Sequence, residues 1–167
     1  MSALTWDDLF IEAANLDFDA LLQEWPGVIA EQIRPIGASV FGDLFFERKT
    51  GEVEKLDVLE GGLHFVAESF QQFSKFMNSQ EWQEQNLLSQ GVALLHERGV
   101  LRDAGQFFGF APHPALVGEI DWSRVLPLNA KVWNSICAQT LMGVQAAEVP
   151  VSPSVATKRA WWKWKKK

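Results

Sequence analysis

Three histidines, one cysteine and 21 acidic residues are the groups in this 167-residue chain that could do acid/base, nucleophilic or metal chemistry. His96 and Glu97 are neighbours in a helical stretch, where successive side chains point about 100° apart, so they do not form an acid/base pair on one face. His113 stands between Pro112 and Pro114, and a stiff exposed loop of this kind presents an imidazole to a partner. With Glu119 or Asp121 nearby in sequence, His113 also suggests a hydrolase. Cys137 is one helical turn from Trp133 and Leu141, which predicts a buried thiol behaving as a small hydrophobe. A lone cysteine makes no internal disulfide and leaves no cysteine pair to complete a zinc set with His64, His96 and His113. The chain has no glycine-rich phosphate loop, no nucleophile elbow and no His-Glu-x-x-His motif. The expectation is a chain with no catalytic residues, no cofactor and no metal, which acts by binding.

Charge indicates what it binds. Residues 1–157 hold all 21 Asp and Glu against nine Lys and Arg, a formal −12, whereas residues 158–167 hold six basic residues and no acidic one. An acidic body repels nucleic-acid phosphates and speeds encounter with basic proteins; simple dispersal in solution accounts for the same charge. Glu54, Asp57, His113, Glu119 and Asp121 are the candidate partner contacts, because they fall at strand edges or loops. The last ten residues differ in character: Trp161, Trp162, Lys163, Trp164 and Lys165 interleave indoles with cations, a pattern suited to an anionic membrane surface or to single-stranded nucleic acid. A solubilising end, or a tail folded onto the acidic body, is the alternative use. No basic, apolar leader opens the sequence and no stretch approaches a membrane span, so the expected location is the cytoplasm.

The elements that must position these residues can be read from periodicity. Thr5 with Asp8 caps a helix carrying Leu9, Phe10, Ala13 and Ala14, and a second helix runs from about Asp17 to Trp25 before Pro26-Gly27. Val40 to Glu47, Val53 to Val58 and Leu63 to Ala67 read as an antiparallel meander, with turns at Lys49 to Glu52 and Glu60 to Gly62, and with Leu63, Phe65 and Ala67 on one face. Ser69 and Gln72 cap a helix with Phe70, Phe73, Phe76 and Met77, and a longer helix spans about Gln80 to Arg98. Gln106 to Phe110 and Ile120 to Leu126 complete about five strands, and a helix from about Asn129 to Met142 places Trp133, Ile136, Cys137, Thr140 and Leu141 near one stripe. Most of the eight Trp and 12 Phe sit at helix or strand periods, as core rather than as a ligand cage. The expected fold is a single α+β domain over residues 1–148, an antiparallel sheet covered by helices, followed by a Pro/Ser linker and basic tail over 149–167.

Several stretches occur in a familiar order: Trp25, then Phe41-Gly42-Asp43-Leu44-Phe45, Gly51-x-Val53-x-x-Leu56-Asp57, Ala67-x-Ser69-x-x-x-Phe73, Gly105-Gln106-Phe107-Phe108-Gly109-Phe110-x-Pro112 and Leu116-x-Gly118-Glu119. Across about residues 15–145 the chain resembles a bacterial family of unknown-function domains associated with the C-terminal domain of immunity proteins against type VI secretion DNase effectors. The resemblance implies an α+β antidote that caps a cognate secreted toxin in the cytoplasm and needs no active site. It departs from the longer members in lacking their additional N-terminal domain, and its Trp/Lys tail is not a feature of the family.

Overall fold

The computed structural model describes residues 3–148. The elements run α1 (Trp6–Leu9), β1 (Phe10–Glu12), a 3-10 turn (Ala13–Asn15), α2 (Phe18–Gln23), β2 (Arg34–Ser39), β3 (Leu44–Glu47), β4 (Val53–Leu56) and β5 (Leu63–Ala67). There follow α3 (Phe70–Phe76), α4 (Gln80–Leu87), α5 (Ser89–Glu97), β6 (Gln106–Phe110), α6 (Pro114–Val117), a second 3-10 turn (Trp122–Arg124), β7 (Val125–Asn129) and α7 (Ala130–Glu148). Strands β1 to β5 form one antiparallel meander in sequence order, and β6 pairs with β7 in a separate two-stranded sheet. The expected α+β class and antiparallel sheet are present, but the membership of the sheet differs from the expectation.

The differences have local causes. Phe10–Glu12 leaves the first helix as an edge strand, pairing Phe10 with Ser39 and Glu12 with Gly37. Strand β2 escapes periodicity because Pro35 and Gly37 read as breakers; Pro35 is tolerated because β1 pairs only with residues 37–39, leaving this end of β2 unpaired on one side. The expected long strand from Val40 begins instead as a turn, and pairing resumes at Leu44. Phe65 does not share a buried face with Ala67: Val53 pairs with Ala67 but Glu54 with Phe65, so β5 holds one extra residue and Phe65 is 61% exposed. The long helix breaks at Leu88, whose φ of 54° is left-handed. Glu84 supports the break by accepting the Gln90 N–H at 2.9 Å, which caps the start of α5.

Rings from both sheets and the helices make the core. Phe10, Phe45, Phe73 and Trp82 form one chain of ring contacts, and Phe41, Phe110, Trp122 and Trp133 form another. Gly37 has no side chain because the Phe10 ring and the Ile11 carbonyl lie where a Cβ would be. Gly109 is likewise covered, with Leu128 Cδ1 2.6 Å and Trp133 Cε3 2.9 Å from that position. Trp133 is fully buried and its Nε1 donates to the Phe41 carbonyl at 2.7 Å, while the Phe108 N–H donates to the Val40 carbonyl at 2.8 Å. These two bonds join the second sheet and α7 to the turn between β2 and β3. Ile136, expected on the buried stripe of α7, is 39% exposed; Asn134 takes an interior position and accepts from Trp25 Nε1 at 2.9 Å.

Gly109→Ala therefore overpacks a fixed indole and is expected to cost about 1–3 kcal/mol of stability by urea unfolding. A loss below about 0.5 kcal/mol would mean that Trp133 shifts freely and does not lock the two sheets together.

Candidate functional site

The polar groups converge on the turn between β4 and β5. The Val58 N–H donates to Asp43 Oδ1 at 2.9 Å, and the Val58 carbonyl accepts from His113 Nε2 at 2.9 Å. Asp57 shapes the next step, its Oδ1 accepting the N–H groups of Leu59 at 2.9 Å and Glu60 at 2.7 Å, an Asx-type turn. Asp43 comes from the turn after β2, where Ser39 Oγ donates to its Oδ2 at 3.2 Å. His113 comes from the loop after β6, which contains a cis Ala111–Pro112 peptide. Three distant pieces of sequence thus meet at one residue.

His113 was expected on an exposed loop and is instead 2% exposed. Both ring nitrogens are engaged: Nε2 donates to a carbonyl and Nδ1 accepts the Ala115 N–H at 3.1 Å, capping α6. This pattern holds the neutral ring in a single tautomer, and burial lowers its pKa. An imidazole committed on both sides has no nitrogen with which to take a substrate proton, so neither the exposed contact nor the hydrolase role expected of His113 fits its position. Asp43 is pushed the other way, up to about 7, first by burial and then by the nearby Asp57 charge, with Lys55 opposing. Cys137 is buried and its thiol pKa is raised by burial, then by Asp43 and Asp57, consistent with an inert thiol.

The remaining candidates divide between bracing and surface. Glu54 is held by Arg48, at 2.8 Å to Nε and 3.0 Å to Nη2, and Arg48 also reaches Glu31 at 2.7 Å. With Arg48 and Glu54 side chains 16% and 17% exposed, Glu54 is a brace for β3–β4 and contributes little unpaired charge to a partner. A groove of about 410 Å³ beside it is lined by Ile33, Arg34, Pro35, Glu47, Arg48 and Lys49, but Arg34 is itself paired with Glu47 at 2.8 Å. Glu119 and Asp121 are in the loop after α6; Glu119 is exposed, and Asp121 accepts the Ser123 N–H at 3.0 Å and lies 3.7 Å from Arg124. The His113–Val58 bond puts the start of this segment against the Asp57 turn. Trp161, Trp162, Lys163, Trp164 and Lys165 lie outside the described residues.

Asp43, Ser39, Lys55, Glu60 and His64 are residues of this region that sequence reasoning missed. Lys55 and His64 are cross-strand partners, and Asp57, Glu60 and His64 bring one potential ligand atom each to within 4.8 Å of one another. An aspartate between Gly42 and the apolar Leu44-Phe45-Phe46 run was the available signal for Asp43, since a carboxylate there must find buried donors. Comparison of the chain with family models and with curated proteins found no match.

The unfolded chain releases the Asp43 proton near 3.8 and the folded chain holds it to about 7, so the folded state binds the extra proton between those values. Stability from this group is full below about pH 4 and is lost as pH rises through about 7. His113 has the opposite sign, its contribution being lost as pH falls through its lowered pKa. Asp43→Asn keeps the oxygen that accepts from Val58 and removes the titration. Its unfolding free energy relative to the unaltered chain should rise as pH goes from 4 to 8; a difference that stays flat would contradict the buried, proton-holding Asp43.

Proposed function

We propose that this chain is a cytoplasmic immunity protein that binds and neutralises a basic secreted bacterial toxin of the kind type VI secretion systems deliver. The observation that carries the reading is the surface next to the braced turn. Leu116 and Val117 of α6 are 62% and 50% exposed, and exposed Glu119 and half-buried Asp121 follow them in the chain. Apolar side chains that enter a pocket, ringed by carboxylates that steer a basic partner, are the make-up of a protein-binding hot spot. The −12 charge of residues 1–157 supports the same partner chemistry. The family resemblance agrees with it, and inhibition by occlusion asks for no catalytic group. Among the described residues no helix is long and apolar enough to cross a membrane.

A second reading, an adaptor for anionic membrane or single-stranded nucleic acid, rests on the Trp and Lys residues of 161–165. One experiment separates the two: co-expression with the product of the adjacent gene, scored by growth and by binding at low and high salt. Protection should survive deletion of residues 158–167. Leu116→Asp should weaken binding by about 30-fold or more, and Glu119→Lys with Asp121→Lys should slow association by about tenfold at low salt. Loss of protection only on tail deletion, with liposome or oligonucleotide binding lost alongside, would favour the adaptor.

A further inference from the structure

We propose that the open edge of β5 pairs with β5 of a second copy of this chain, in an antiparallel register that sets Leu63 of each copy opposite Phe65 of the other. The pairing does not depend on the toxin-binding reading. Strand β5 is the last of the five-stranded sheet and is bonded to β4 on one side only. The Asp57 N–H donates to the Gly62 carbonyl at 3.0 Å, so Gly62 and, by alternation, His64 turn their backbone groups toward β4, whereas Leu63 and Phe65 turn theirs outward. Among the described residues no turn or loop bonds to those outward groups. The Phe65 ring beside them is 61% exposed. An outward row of amides and carbonyls next to an exposed ring is the setting in which a sheet takes on a further strand.

The other sheet edges are blunted in ways that β5 is not. Strand β1 is three residues long and ends in Glu12, and β7 carries Pro127, both common defences against a second strand. Residues 61–67 hold no Asp, Glu, Lys or Arg. In a chain with a formal charge of −6, two copies repel least where the facing surfaces are uncharged, and a basic occupant gains no ion pair along this stretch. The edge therefore fits a neutral, apolar strand, which a second β5 supplies. Its register follows from the extra residue in β5, which places Ala67 opposite Val53 and turns its backbone groups back toward β4. Leu63 and Phe65 remain as the outward pair. Setting Leu63 opposite Phe65 of the other copy lets both residues exchange their N–H···O bonds, in a two-fold arrangement where the same patch serves each side. Leu63 and Phe65 share a face of the sheet, so each exposed ring gains an apolar cross-strand neighbour.

The test is sedimentation velocity of the full chain from about 5 to about 500 μM, the range in which so small a contact associates. A reversible monomer–dimer equilibrium is expected, weakened about tenfold or more in Phe65→Lys, which puts a charge on the edge. Mild oxidation reads the register. His64 meets its own copy across the two-fold axis with Cα atoms about 4.5 Å apart, within disulfide reach, so His64→Cys should give a cross-linked dimer. Val66→Cys, displaced along the strand, should not, and nor should the unaltered chain, whose Cys137 is buried. Thermal melts establish that each variant folds. A chain that stays monomeric throughout would overturn the pairing and leave the edge to the basic tail or to a strand of another protein. A dimer unaffected by Phe65→Lys would overturn it as well. Absence of the His64→Cys cross-link in a dimerising chain, or equal cross-linking through Val66→Cys, would overturn the register.

Discussion

Both backbone polar groups of Val58 are buried, and neither is satisfied by a strand neighbour. Asp43 accepts from the N–H and His113 donates to the carbonyl, and each comes from a different part of the chain. A buried amide or carbonyl without a partner costs about 1–3 kcal/mol, so this residue can be buried only where the β2–β3 turn, the β4–β5 turn and the loop before α6 come together. That requirement fixes where Asp57 stands relative to α6, and through Asp57 it sets the direction of the turn carrying Glu60. The same arrangement explains why two titratable groups are buried here with pKa values displaced in opposite directions. Each is pushed toward its neutral form by a low-dielectric interior that still supplies hydrogen bonds.

The second join is aromatic. Trp133 donates to Phe41 and covers Gly109, so the small β6–β7 sheet and α7 close over the far end of the turn that supplies Asp43. Asn134, beside it, receives Trp25 and brings the segment after α2 into the same interior. The apolar packing and the polar bracket are therefore continuous: the helix that locks the two sheets also leaves Leu141 in van der Waals contact with the position of a Cβ at Gly61. A change in that packing would be transmitted to the acidic turn.

Much of this architecture is legible in the sequence. Aromatic and apolar runs mark β3 and β6, and Ser69, Ser79 and Asn129 cap helices through the hydrogen bonds that their types predict. Long-range satisfaction is what periodicity does not carry. Pro35 and Gly37 disguise β2 because nothing local announces that β1 stops short or that a phenylalanine ring will lie over the glycine. The additional residue in β5 reverses the face of Phe65, an effect that depends on the partner strand. Flanking prolines suggest a stiff, exposed segment around His113, but the imidazole is buried and acts as a bracket rather than as a contact. Of the candidate surface residues, Asp57, Glu119 and Asp121 do fall on or near adjoining segments; Glu54 is absorbed by Arg48, a pairing set by the hairpin and invisible without it.

If Val58 joins the acidic turn to α6 as one unit, breaking one of its bonds should release both segments together. Residue-resolved amide hydrogen exchange on His113→Gln, compared with the unaltered chain, measures this directly. The predicted result is a shared loss of protection at residues 58–62 and 114–118, with β2 and β3 unchanged. Loss confined to 114–118, with the turn still protected, would contradict the claim that His113 holds the two segments as a single surface.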